Sequence, residues 1–481
     1  MSNRPETNKQ SCPVYKKCGG CQLQNLSYPE QLEFKQKKVE KLLKRFCTVE
    51  KIIGMKTPYH YRNKVQAAFY TDKKGKIISG VYQSGSHHVV GIDSCQTEDV
   101  IADKIIVAVR KLLPSFRMTT YNEDTGKGFL RHILVKRGFA TNQIMLVLVT
   151  GTPVFPSKNN FVKAILKQFP EITTIVQNIN PYRTNLVLGD NQKVLYGKGY
   201  IEDILCGCRF RISPKSFYQI NPVQTEVLYG KAIEFANLKG NETVLDTYCG
   251  IGTIGIIAAK NGAGNVIGAE LNGDAVRDAI VNARANNLKN IRFYKADAGE
   301  FMREVADEDE KPDVVFMDPP RAGSDRKFLD SLIKMSPKKV VYVSCNPETL
   351  ARDLAYLTQN SPYKAQKIQP VDMFPHTAHI ETVVKLVRKT PDAYVDLKVD
   401  MDELDLTASE AKATYEEIKQ YILDKYDTKV SNLYIAQVKE KYGIIERENY
   451  NKPKSANTKQ SQCPAEKAVM IEEAFKHFKM I

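Results

Sequence analysis

Short apolar runs alternate with helical periods through the second half of the chain, from about residue 211 to about 390. That alternation predicts a parallel α/β sheet. The runs are Thr243–Leu245, Asn265–Leu271, Ile291–Tyr294, Pro312–Met317, Lys339–Val343 and Thr382–Val387. Residues from about 54 to 210 read as mixed strands and helices, with strands over Lys64–Tyr70, Ile133–Lys136 and Gln143–Thr150. A helix is predicted over Tyr28–Phe46. Two more, Ser409–Tyr426 and Ser431–Tyr442, lie in an acidic, mostly helical tail, with a loop at Asn451–Gln462. Four stretches result: a Cys-cluster segment (1–53), a mixed α+β central domain (54–210), a doubly wound Rossmann-like domain (211–390) and a helical C-terminal extension (391–481).

Composition adds little except in its charge. Of 481 residues, 42% are hydrophobic and 26% charged, ordinary values for a soluble globular chain. No long apolar run and no apolar signal core appear, so no membrane partner and a cytoplasmic location are expected. The net charge is +15, and residues 391–481 hold 14 Lys and Arg against 17 Asp and Glu. The basic excess therefore lies wholly before the tail. It points to a polyanion such as nucleic acid, with a merely solvated surface as the alternative.

Chemistry concentrates at the strand ends. Asp246 closes the first run, Gly250-Ile251-Gly252 makes a turn, and a helix starts near Thr253. Glu270 ends the next run, 24 residues after Asp246, where an acid suits ribose hydroxyls, and Asp297 follows the third. With neither a GxGxxG nor a GxxxxGK[ST] pattern, a nucleoside without phosphates is favoured, and S-adenosylmethionine fits that description. Two further runs lead into Asp318-Pro319-Pro320-Arg321 and Ser344-Cys345-Asn346-Pro347. Ligands of such sheets bind outside the carboxyl ends of the strands, so both motifs should face the cofactor turn. Asn346 can cap the next helix, whose positive end is expected to lower the Cys345 thiol pKa. A thiolate adjacent to a methyl donor suits carbon 5 of uracil, which becomes nucleophilic only after addition at carbon 6. A base must then remove the carbon 5 proton; Glu381 is the candidate, with His379 second.

Ten cysteines in a cytosolic chain argue against disulfides. Cys12, Cys18, Cys21 and Cys95 invite a metal reading, and four thiolates suit zinc or an iron–sulfur cluster equally. Cys47, Cys206, Cys208 and Cys463 show no ligand pattern.

Six motifs in order, CPVYKKCGGCQLQ, SFYQINPVQTEVLY, VLDTYCGIGTIGI, DPPRAG, SCNPETLARDL and HIETVVKL, span residues 12 to 386. Through them the chain resembles the bacterial uracil-C5 RNA methyltransferases, above all those modifying 23S ribosomal RNA. The resemblance implies a class I methyltransferase domain with Cys345 as nucleophile and Glu381 as base. It implies S-adenosylmethionine contacts from Gln219, Tyr248, Glu270, Asp318 and Asp297. Phe217 matches a position that stacks near a flipped target base, with core packing as the alternative. The resemblance also favours a 4Fe–4S cluster on Cys12, Cys18, Cys21 and Cys95, with zinc as the alternative. Transfer RNA is the second substrate class, and an amine-directed RNA or protein methyltransferase a third reading. With only 11 residues before Cys12, the family's TRAM barrel is expected to be absent. RNA contact is then expected from Tyr61–Lys64 (above all Arg62), Lys73, Lys74, Arg131, His132, Lys136 and Arg137. A monomer is expected.

Overall fold

The structure, a computed structural model, describes residues 12–83, 85–86, 88–184, 186–307, 311–388, 413–442, 463–478 and 480–481. The chain divides into two compact units, Met1–Val395 and Asp396–Ile481. The predicted loop at Asn451–Gln462 lies outside the described residues.

In the first unit a mixed sheet is built from β1 (Lys64–Thr71), β2 (Ile77–Tyr82), β3 (Val89–Gly91), β4 (Leu130–Arg137), β5 (Ile144–Thr150), β6 (Ile172–Ile179) and β7 (Asn191–Tyr196), in the order β3-β2-β1-β4-β5-β6-β7. Only β5 and β6 pair in parallel. Helices Val100–Leu112 and Lys158–Gln168 cover one face through Ile105, Val109, Phe161 and Ile165. The opposite face, with Met145, Val147 and Val149, joins a core shared with the hairpin β8 (Ile201–Leu205) and β9 (Cys208–Ile212). Because β5 is covered on both faces, its sequence IMLVLVT is apolar throughout rather than alternating. Strand β4 extends the predicted Ile133–Lys136 run at both ends, and all but its last residue are buried.

The second sheet contains β10 (Thr243–Asp246), β11 (Asn265–Glu270), β12 (Ile291–Lys295), β13 (Val314–Met317), β14 (Lys339–Ser344), β15 (Tyr363–Val371) and β16 (Glu381–Arg388). Their order is β12-β11-β10-β13-β14-β16-β15. The first five run parallel, and β16 inserts antiparallel between β14 and β15. This is a Rossmann-like α/β sheet, and strand order reverses between β10 and β13, where such sheets bind ligands. β15 has no counterpart among the predicted runs, because its lysines and glutamines interrupt the apolar signal.

Helix Tyr28–Leu43 ends three residues short of the expected Phe46. It opens with a capping box in which Ser27 and Glu30 satisfy each other's backbone N–H groups. Its inner face carries Lys35, whose Nζ donates to Asp372 Oδ1 at 2.5 Å and to the Phe374 carbonyl at 3.0 Å. Both side chains of the pair are fully buried. Tyr28 Oη donates to the other Asp372 oxygen at 2.9 Å, and the His376 N–H donates to Gln31 Oε1 at 2.8 Å. The segment after β15 is thereby fastened to the N-terminal helix.

The second unit holds helices Tyr415–Tyr426, Asn432–Lys441 and Ala465–His477 around Ile418, Ile422, Ile435, Ile471 and Phe475. No described helix is long and apolar enough to cross a membrane.

Removing one partner of a buried ion pair leaves the other charge uncompensated. Asp372→Ala is therefore expected to cost about 3–5 kcal/mol of stability by urea unfolding. A loss below about 1 kcal/mol would mean that Lys35 escapes to water.

Candidate active site

Strand β10 delivers Asp246 to the carboxyl edge of the sheet, and the turn after it uses left-handed backbone at Gly250 (φ 55°) and Gly252 (φ 83°). A Cβ on Gly252 would stand 2.8 Å from the Phe293 ring, so only glycine fits there. Asp246 Oδ2 accepts the Gly255 N–H at 2.8 Å, while buried Oδ1 has no partner among the described residues. Burial pushes the Asp246 carboxyl up to about 7, with Asp318 and Glu270 adding to the rise. Glu270 accepts the Gly250 N–H at 3.0 Å through one oxygen and the Asn272 N–H at 2.8 Å through the other. It therefore braces the glycine turn. Tyr248 packs on Phe328 with ring centroids 5.5 Å apart, and Gln219 is buried, its carbonyl accepting from Asn63 Nδ2 at 3.0 Å. Asp297 is exposed and accepts the Gly299 and Glu300 N–H groups at 2.9 and 3.1 Å, which starts the helix Ala298–Asp307. Glycine cradle, terminal acids and orphaned Asp246 oxygen together fit a nucleoside ligand such as S-adenosylmethionine. Asp246 was absent from the expected contacts, although its place immediately before the glycine turn signalled it.

On the other side of the switch point, β14 and β16 pair Val343 with Val383 and Ser344 with Thr382. One step further in that register, Cys345 stands level with Glu381. Cys345 is half-buried and Glu381 is 4% exposed. Burial pushes the Cys345 thiol up to about 11, and the Glu381 and Asp318 carboxylates add to the rise while Arg321 opposes it. Glu381 is itself raised by burial and by Asp318, again against Arg321. Asp318 is lifted to about 7 by burial alone. The expectation of a thiol lowered by the helix end is thus corrected. The cap exists, with Asn346 Oδ1 accepting the Glu348 N–H at 3.1 Å, but burial and two carboxylates outweigh it. Arg321 is the one cation acting on both Cys345 and Glu381, and only the family motif hinted at it. His379 meets Phe374 edge to face at 6.2 Å, and burial lowers its imidazole pKa. Phe217 is 63% exposed, whereas its neighbour Tyr218 is buried and donates to Asp203 at 3.3 Å.

Cys12, Cys18, Cys21 and Cys95 line one small cavity. Burial and then the neighbouring Cys95 push the Cys21 thiol up to about 12. The donor set fits a four-thiolate group. As spaced in this structure, no group of three or more His, Cys, Asp or Glu among the described residues is placed to hold a metal ion. Arg62 sits beside Cys18 and Cys21 and favours their ionised forms.

Several expected RNA contacts face inward. Lys136 is buried and donates to the Ser213 and Ser216 carbonyls at 2.9 and 2.8 Å, and burial lowers its pKa to about 7. Arg137 pairs with Asp99 at 2.6 Å. Arg131 donates to the Asn180 and Tyr182 carbonyls at 2.8 and 2.6 Å. Lys73 and Lys74 lie in an exposed turn.

Residues 182–389 match the family model for tRNA (uracil-5-)-methyltransferase. An RNA methyltransferase of Bacillus cereus is 44% identical over 389 residues, covering 80% of this chain and 84% of that one. One from Listeria monocytogenes is 46% identical over 379 residues, covering 78% and 83%. The crystal structure of Pyrococcus abyssi tRNA (uracil-54, C5)-methyltransferase with S-adenosyl-L-homocysteine aligns with a TM-score of 0.65 at 31% identity, covering 79% of this chain and 88% of that one. Fold, site and relatives agree: the chain belongs to the S-adenosylmethionine-dependent RNA (uracil-5)-methyltransferase family.

Proposed function

We propose that this chain methylates carbon 5 of a uridine in 23S ribosomal RNA, with Cys345 as nucleophile and Glu381 as base. The observation that supports the chemistry is the Ser344–Thr382 pairing, which brings Cys345 and Glu381 to the same sheet edge as the end of β10, close enough for the Glu381 charge to act on the thiol. Gln219, Tyr248, Glu270 and Asp318, with Asp297 at the edge, hold S-adenosylmethionine, which supplies an electrophilic methyl group when bound. Cys345 Sγ, as thiolate, adds to carbon 6 of the ring, and the electron pair of the 5,6 double bond moves toward carbon 5 and its carbonyl. Carbon 5 becomes the nucleophile for the methyl group. Glu381 then takes the carbon 5 proton, the double bond re-forms, and the Cys345 sulfur leaves. Phe217 offers an exposed ring on which a flipped base can stack. Residues 54–210 supply RNA contacts and 211–390 the chemistry, in a cytoplasmic monomer.

Transfer RNA is the second reading, favoured by the description of the matching family model and by the substrate named for the Pyrococcus protein. An amine acceptor would need no thiol.

The test is labelling of ribosomal and transfer RNA from a strain lacking this protein. We expect 5-methyluridine in 23S RNA, no product with Cys345→Ala, and roughly 10²- to 10⁴-fold slower turnover with Glu381→Gln. The pH profile carries its own sign. Both groups act deprotonated and both pKa values are raised, so kcat/KM rises with pH from neutral into the alkaline range. Label on transfer RNA overturns the substrate. Label on an amine, full activity of Cys345→Ala, or a plateau already reached near pH 6 overturns the mechanism.

The cysteine cavity extends the reading: Cys12, Cys18, Cys21 and Cys95 hold a 4Fe–4S cluster that ties the N-terminal segment to the central sheet. Anaerobically purified protein should carry about four iron and four sulfide per chain, lost with Cys21→Ser. Zinc in their place supports the alternative, and neither metal overturns both.

A further inference from the structure

A second cavity, of about 370 Å³, lies in the central sheet and contains none of the residues assigned to the active site above. That volume falls within the range of small-ligand pockets, roughly 300–1,000 Å³. The Tyr70 and Tyr82 rings, 38% and 36% exposed, stand on neighbouring strands at its mouth. Its interior is formed by Tyr121, Arg131 and His132, each no more than 5% exposed.

These three interior residues share a feature. Tyr121 Oη, Arg131 Nε and His132 Nδ1 are all buried without a hydrogen-bond partner among the described residues. Three orphaned polar atoms on one wall call for a ligand or ordered water, because each costs free energy if left unmet. Burial and the adjacent Arg131 lower His132 to about 4, so at neutral pH its ring is uncharged. The Arg131 guanidinium lies 4.3 Å from the Tyr121 ring centroid, and its Nη1 serves two backbone carbonyls while its Nε meets no partner among the described residues. Glu123 and Asp124 stand at the rim with Arg183. A bare phosphate is poorly served by two rim carboxylates. A flat heterocycle with donors and acceptors on its edge meets both the aromatic walls and the neutral polar floor.

We propose that this cavity binds a second unstacked nucleobase of the RNA, apart from the base that is methylated. The inference rests on the RNA reading above. Tyr70 lies seven residue steps of extended chain from Asn63, which donates to the Gln219 carbonyl in the cofactor site. At about 3.3 Å per residue the two sites are about 23 Å apart along β1. A single strand crossing this basic half of the chain thus meets two base-sized sites, one for chemistry and one for register.

The experiment is fluorescence anisotropy of the full-length protein with labelled oligoadenylate and with an abasic strand of equal length. The wild type should prefer the base-bearing strand. Tyr70→Ala and Tyr82→Ala should each weaken oligoadenylate binding roughly 5- to 100-fold, the worth of one stacked base. Abasic binding and S-adenosylmethionine binding should hold, and Tyr70→Phe should restore the preference. An unchanged preference in both alanine variants overturns the pocket and leaves the active-site reading standing. Equal wild-type binding of the two strands overturns it too. Binding of neither strand, at low salt, removes the RNA reading and this inference together.

Discussion

The pairing of β16 between β14 and β15 is the constraint on which the site depends. A parallel sheet places all its strand ends on one edge, but a strand entering antiparallel brings its beginning to that same edge. Here the beginning is Glu381 and the neighbouring end is Cys345. Because side chains alternate with a period of two, a slip of one residue would turn Glu381 to the other face. The register is held by the apolar pairs Val340 with Leu386 and Val343 with Val383, all buried. Packing with no chemical role thus fixes the geometry that chemistry needs. The Lys35–Asp372 pair fastens the connection leading into β16 from the other side.

That arrangement gathers a thiol and carboxylic acids where solvent is scarce. Burial raises the pKa of Cys345, Glu381 and Asp318 alike, Glu381 and Asp318 raise Cys345 further, Asp318 also raises Glu381, and Arg321 opposes the rise at both Cys345 and Glu381. Ionising all three at once requires compensating positive charge, so the reactive forms are scarce until a cation arrives. The same logic bears on stability. Asp246 and Asp318 keep their protons in the folded chain up to about 7, well above the carboxylate range of the unfolded one. They favour folding at low pH, and that contribution is lost as pH rises through about 7. A cation bound beside them, or partners for the Asp246 oxygen, would offset that loss.

Much of this was legible in the sequence because strand ends carry the chemistry. Asp246, Glu270, Asp318 and Cys345 each terminate an apolar run, so the pattern that predicts the sheet also locates them. Other features follow from neighbours that a linear pattern does not show. The helix cap at Asn346 was readable, but the carboxylates facing Cys345 arrive from β13 and β16 and reverse its effect on the thiol. Lys136 and Arg131 look like nucleic-acid contacts on a basic stretch. Strand β4 is covered on both faces, so these side chains turn inward to backbone carbonyls. β15 was missed because its lysines and glutamines sit near a sheet edge, where apolar periodicity is weak.

The most direct measurement is capture of the covalent bond itself. RNA carrying 5-fluorouridine at the target offers no removable proton at carbon 5, so the Cys345 sulfur cannot leave after methyl transfer. With S-adenosylmethionine present, the account predicts a denaturation-resistant protein–RNA band in which mass spectrometry places the ring on Cys345, and no such band with Cys345→Ala. A band that persists in Cys345→Ala, or its absence from an enzyme that methylates ordinary RNA, contradicts it.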